Sequence, residues 1–85
     1  KEKIFYRWRK QMNNEMKQQY LRDKTLDFIR NRNLTEATLY SLTGIEFYRL
    51  ANWLVGRRTF TDEELEVMAS GLLYYEVLYL LKEEE

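Results

Sequence analysis

The chain has 85 residues, 45% hydrophobic and 33% charged. That is enough for one folded domain with a single core but not for a sizeable active-site cavity, so an enzyme is not expected. Cysteine and histidine are both absent, which excludes disulfides, Cys/His zinc sites and histidine-activated nucleophiles, favours an intracellular, cytoplasmic setting and leaves no cofactor expected. The formal net charge of zero hides a polarity. Residues 1–58 hold thirteen Lys or Arg against six acids, and residues 59–85 hold Lys82 alone against eight. Such a division suits a molecule that offers one face to a polyanion, although the later acids also fit the capping and solvation of helices.

With no proline and only Gly44, Gly56 and Gly71 as glycines, the chain reads as all-helical with short connections. Residues 1–13, KEKIFYRWRKQMN, form a basic aromatic segment set apart from a domain over 14–85. Ile4, Trp8, Met12, Met16 and Tyr20 recur at every fourth position, which predicts a helix. The alternation of Ile4, Tyr6 and Trp8 with Phe5, Arg7 and Arg9 also fits a strand. Such a segment serves either as an arm on nucleic acid or as a packing stripe.

A helix is predicted from Glu15 to about Asn31 with Asn14 as its N-cap. Met16, Tyr20, Leu21, Phe28 and Ile29 are its inner positions, and Lys17, Arg22, Lys24, Arg30 and Arg32 its far side. Asn31, Arg32 and Asn33 end it, since asparagine tolerates the left-handed conformation. Thr35 caps a short helix from Glu36 to Leu42 that buries Ala37, Leu39 or Tyr40, and Leu42. Gly44 then turns the chain into a helix from about Glu46 to Val55, with Leu50, Trp53 and Leu54 facing the core and Phe47, Tyr48, Arg49 and Asn52 pointing elsewhere. Gly56 stops that helix, and Arg57 and Arg58 emerge beyond it.

Thr61 with Glu64 makes a capping box for a fourth helix whose inner face is Leu65, Val67 or Met68, Ala69 and Leu72. A last helix is predicted from Tyr74 to Leu81, apolar all round yet far short of the roughly 20 residues that span a bilayer. It needs cover, either from a second chain or from the segment around Ile4 to Trp8. Tyr75, Leu78, Tyr79 and Leu81 are the expected dimer contacts.

From Leu21 to Leu81 these landmarks stand in register: Leu34-Thr35, Leu39 and Leu42, Thr43-Gly44-Ile45, Leu50 and Trp53, Gly56-Arg57-Arg58, and the Thr61 to Leu72 helix with its leucine-rich close. In this order, without a gap, the chain resembles the lambda-repressor-like helix-turn-helix family, the Cro and XRE-type regulators of phages and bacteria. The resemblance implies a compact five-helix domain with an additional N-terminal helical segment. Its third helix would enter the major groove, with the second lying across the backbone. It also implies a sequence-specific DNA-binding repressor, working as a homodimer on double-stranded DNA and performing no chemistry.

Carried over by position, Phe47, Tyr48, Arg49 and Asn52 would meet base edges, and Thr35, Thr38, Arg57 and Arg58 would meet phosphates. Three features depart from the family pattern: Glu36 where glutamine is usual, Glu46 at the head of the reading helix, and the bulk of Phe47 and Tyr48. They point to an alternative in which the same scaffold recognises a protein, as an antirepressor or adaptor. Carboxylate pairs such as Glu63/Glu66 and Asp23/Asp27 lie at helical spacing and read as solvated surface.

Overall fold

The computed structural model describes residues 12–83, and the backbone alone at Glu83. Among these residues the chain is all-helical, in four helices: α1 Asn14–Arg32, α2 Glu36–Thr43, α3 Phe47–Leu54 and α4 Asp62–Glu83. The reading of residues 1–11 as helix, strand or arm lies outside the described residues. No described helix is long and apolar enough to cross a membrane.

Helix α1 starts one residue earlier than its sequence suggests. Asn13 is the cap, its Oδ1 accepting from the Met16 N–H at 2.8 Å. The Asn14 side chain instead donates to Asp62 Oδ1 at 2.8 Å, which ties the first turns of α1 and α4 together. Asn33 closes the helix at φ 59°, with its N–H on the Phe28 carbonyl. The buried face is Gln18, Leu21, Thr25 and Phe28, and the expected inner residues Met16 and Tyr20 are exposed. Two polar residues on the inner face therefore displace the stripe that hydrophobicity alone marks. Thr25 is made neutral to burial by donating its hydroxyl to the Leu21 carbonyl at 2.7 Å.

In α2 Leu39 is fully buried, which settles the alternative with Tyr40, found exposed; Leu42 is half-buried, and Ala37 is exposed, against expectation. The expected core positions of α3 hold, with Leu50 and Trp53 at 0% exposure and Leu54 half-buried. The Trp53 ring stacks on Phe60, which lies in the connection to α4, at 4.5 Å and 12° between planes.

The two helices expected after Thr61 are a single 22-residue helix, α4, so the described chain has four helices where five were expected. Gly71 lies inside it, buried, and does not break it. A Cβ at this position would sit 2.9 Å from the Thr43 methyl and 3.5 Å from Leu42 Cβ. The missing side chain is thus what lets the end of α2 rest against α4. Leu65, Met68 and Leu72 form the inner face of α4, which settles the alternative at Val67, found exposed.

Beyond Gly71, α4 leans on the end of α1. Tyr75 donates its hydroxyl to the Arg32 carbonyl at 2.6 Å and packs its ring 5.6 Å from Phe28. The Arg32 guanidinium lies 4.6 Å from the Phe28 ring and 4.8 Å from that of Tyr79. Arg22 likewise sits over Trp53 at 5.1 Å and donates Nε to its carbonyl at 2.7 Å. Neither arginine belongs to a free outer face of α1, where sequence periodicity puts both.

Candidate functional site

Two eight-residue helices, α2 and α3, meet at a connection of Gly44, Ile45 and Glu46. Thr35 opens α2, its hydroxyl accepting from the Thr38 N–H at 3.1 Å and donating to Thr38 Oγ1 at 3.0 Å. Gly44 ends it at φ 74°, with its N–H on the Tyr40 carbonyl at 2.7 Å. The Thr43 hydroxyl donates to the Leu39 carbonyl at 2.7 Å and accepts from the Ile45 N–H at 3.1 Å, which aims Ile45 into the core. With Leu50 and Trp53 buried, the register of α3 is fixed, and the residues that face outward follow from it.

Those residues are Phe47 at 51% exposure, Tyr48 at 66%, Ala51, and Val55 at 68% just past the last turn. Tyr40 of α2, 49% exposed, meets Phe47 edge-on with ring centroids 5.5 Å apart. The face is aromatic and aliphatic, bordered by the exposed carboxylates Glu36 and Glu46. At its far end Gly56, at φ 83°, turns the chain so that the Arg57 and Arg58 N–H groups both donate to the Asn52 carbonyl, at 2.8 and 3.3 Å. The Arg57 and Arg58 side chains are exposed, and neither forms an ion pair with a described residue.

Of the four residues expected to face bases, the structure leaves two open and draws two inward. Phe47 and Tyr48 are open. Asn52 is half-buried and donates Nδ2 to the Tyr48 carbonyl at 2.8 Å. Arg49 is half-buried and makes a two-pronged bond to Glu64, Nε to Oε2 at 2.8 Å and Nη2 to Oε1 at 2.6 Å. Of the four expected phosphate ligands, Arg57 and Arg58 are open, whereas Thr35 and Thr38 are bonded to each other as a helix cap.

Glu64 also accepts from the Thr61 N–H at 2.9 Å, while Thr61 Oγ1 accepts from the Glu64 N–H at 3.2 Å. The expected capping box is therefore present, and Arg49 extends it to α3. Partial burial pushes the Glu64 carboxyl up, but the hydrogen bonds from Arg49 and Thr61 and the Arg49 charge overcome it, leaving the group below the ordinary glutamate range. The same hydrogen bond, with the Glu64 charge behind it, raises Arg49. A carboxyl lowered by folding contributes stability that is complete above its unfolded pKa and lost as pH falls through its folded one. The destabilisation caused by Glu64→Gln is accordingly expected to be largest near pH 7 and to shrink below about pH 4. Urea midpoints of both proteins across that range test it; a pH-independent difference would remove the ion pair from the account.

Among the expected dimer contacts, Leu78 and Leu81 are exposed at 44% and 55%, whereas Tyr75 and Tyr79 are half-buried beside α1. Tyr74, at 56%, and Leu80, at 43%, enlarge the open apolar surface near the end of α4. Gln18 is a residue that periodicity missed. It is 4% exposed and joins α1 to the interior edge of α3 and the connection after it. No protein-family model, curated protein or solved structure matches the chain.

Proposed function

We propose that the chain is a sequence-specific DNA-binding regulator, a repressor of the phage or bacterial type, with α2–Gly44–α3 as its helix-turn-helix. In this reading α3 lies in the major groove, α2 crosses the backbone, and the Arg57-Arg58 turn neutralises phosphate. The observation that carries it is the pairing of an outward α3 face with two exposed arginines at its end that form no ion pair with a described residue. Along the sequence, the basic residues gather before position 59 and the acids after it, a polarity that suits a chain meeting a polyanion with its earlier part.

Binding to random duplex is expected to weaken steeply as salt rises, and Arg57→Ala with Arg58→Ala to reduce the log–log salt slope by about 2. Fluorescence anisotropy over a salt series measures both. Absence of duplex binding at low salt would end this reading. The exposed Tyr74, Leu78, Leu80 and Leu81 supply the surface for a homodimer that spans paired half-sites. Sedimentation at high concentration tests that part, and monomer throughout would remove it.

A second reading, a scaffold for protein recognition such as an antirepressor or adaptor, is favoured by the cluster of Tyr40, Phe47 and Tyr48 between Glu36 and Glu46. Two carboxylates beside a phosphate backbone are repelled, whereas beside a basic protein they attract. In that case Phe47→Ala abolishes capture of the partner, leaves helicity intact and does not alter duplex binding.

A further inference from the structure

The outward chemistry of α3 differs from that of its sequence. Arg49 is the one residue of this helix suited to a two-pronged bond with guanine, and both prongs are already on Glu64, at 2.8 and 2.6 Å. That carboxylate is in turn held by the Thr61 N–H at 2.9 Å, so withdrawing Arg49 would also disturb the cap of α4. Asn52 is half-buried, with one amide N–H turned back onto the Tyr48 carbonyl of its own helix at 2.8 Å. Along one strip of the helix this leaves Phe47, Tyr48, Ala51 and Val55, of which only Tyr48 carries a polar side-chain atom.

Rings and methyl groups gain nothing from the hydrogen-bonding edges of guanine, cytosine or adenine. In the major groove the apolar group on a base-pair edge is the thymine 5-methyl. We infer that α3 reads DNA through thymine methyl groups, with the Phe47 and Tyr48 rings as the contacting surfaces, and that Arg49 is a positioning residue that holds α3 against α4. The inference rests on the DNA-binding reading above. Duplex DNA is the occupant argued for because the strip runs directly into the exposed Arg57 and Arg58, which form no ion pair with a described residue, while the exposed Glu46 lies before its first residue, Phe47, at the opposite end.

The test begins with selection of duplex sites by the purified chain, followed by replacement of every thymine in a selected site with deoxyuridine. This removes the methyl alone and keeps both base pairing and the polar edges. Each contacted methyl is expected to be worth roughly fourfold in affinity, so a site using two or more loses about tenfold or more. Phe47→Ala, at an exposed position and checked for helicity by circular dichroism, is expected to bring the ratio of thymine to deoxyuridine affinities towards one. In parallel, 7-deazaguanine replaces guanine and removes its N7 acceptor.

An affinity indifferent to deoxyuridine overturns the inference and leaves DNA binding intact. So does a 7-deazaguanine penalty that disappears in Arg49→Ala, because Arg49 would then leave Glu64 to read guanine. No duplex binding at low salt overturns the DNA-binding reading itself, and the inference with it.

Discussion

Trp53→Ala is expected to leave the chain largely unfolded at room temperature. The side chain is at 0% exposure, stacked at 4.5 Å on Phe60, with its Nε1 donating to Gln18 Oε1 at 2.7 Å. Truncating a buried tryptophan costs about 3–5 kcal/mol in lost transfer energy and residual cavity. A small domain has only about 5–15 kcal/mol in total, and one of this size lies towards the lower end. Here the loss extends further, because the Arg22 guanidinium covers the ring and Phe60 would face a void. Urea denaturation followed by far-ultraviolet circular dichroism measures the effect, with Trp53→Phe keeping most of the volume and giving up the N–H. An alanine variant with the wild-type midpoint would show that Trp53 is not the centre of this core.

Gln18→Leu is the second large effect, and it arises from polarity rather than volume. Gln18 Nε2 donates to the Phe60 carbonyl at 2.8 Å and to Asn14 Oδ1 at 3.1 Å, while its Oε1 accepts from Trp53 Nε1 at 2.7 Å and from the Phe60 N–H at 3.2 Å. All four positions of one amide are thereby used. Leucine fills similar space but strands the indole N–H and both backbone groups of Phe60, and each unsatisfied buried group costs about 1–3 kcal/mol. A loss of about 3 kcal/mol or more is expected, together with faster hydrogen exchange at the Phe60 amide and the Trp53 indole. Exchange unchanged at these two sites would mean that other groups satisfy them.

What the sequence declared and what it concealed divide along a physical line. Asn33, Thr35, Gly44 and the Thr61–Glu64 box were legible because each answers a demand within a few residues: a left-handed φ, or an orphan N–H at a helix start. The inner face of α1 was not, since Gln18 and Thr25 are polar by type and become interior only through partners on other segments. The inward role of Arg49 is concealed for the same reason: its carboxylate lies 15 positions along the chain and belongs to another helix. The break expected between Leu72 and Tyr74 is absent, and Gly71, inside the continuous α4, serves as a contact with the end of α2. On the candidate site, exposure at Phe47 and Tyr48 follows from helical spacing, and that of Arg57 and Arg58 from their place in the turn after Gly56. The inward turn of Arg49 and Asn52 depended on tertiary partners or on the local backbone that spacing does not encode.

The contact at Gly71 has a consequence for how this sequence is free to change. Alanine there would favour α4 by about 1 kcal/mol through helix propensity, but the 2.9 Å approach to the Thr43 methyl forbids it as the chain stands. Thr43 has no easy rotamer to retreat to, because its hydroxyl is fixed on the Leu39 carbonyl and the Ile45 N–H. Serine at position 43 keeps both hydrogen bonds and removes the obstructing methyl. The two positions are therefore coupled: evolution can reach alanine at 71 by way of serine at 43, and the reverse order passes through a destabilised intermediate. Homologous chains are expected to record that order as covariation between the end of α2 and the middle of α4.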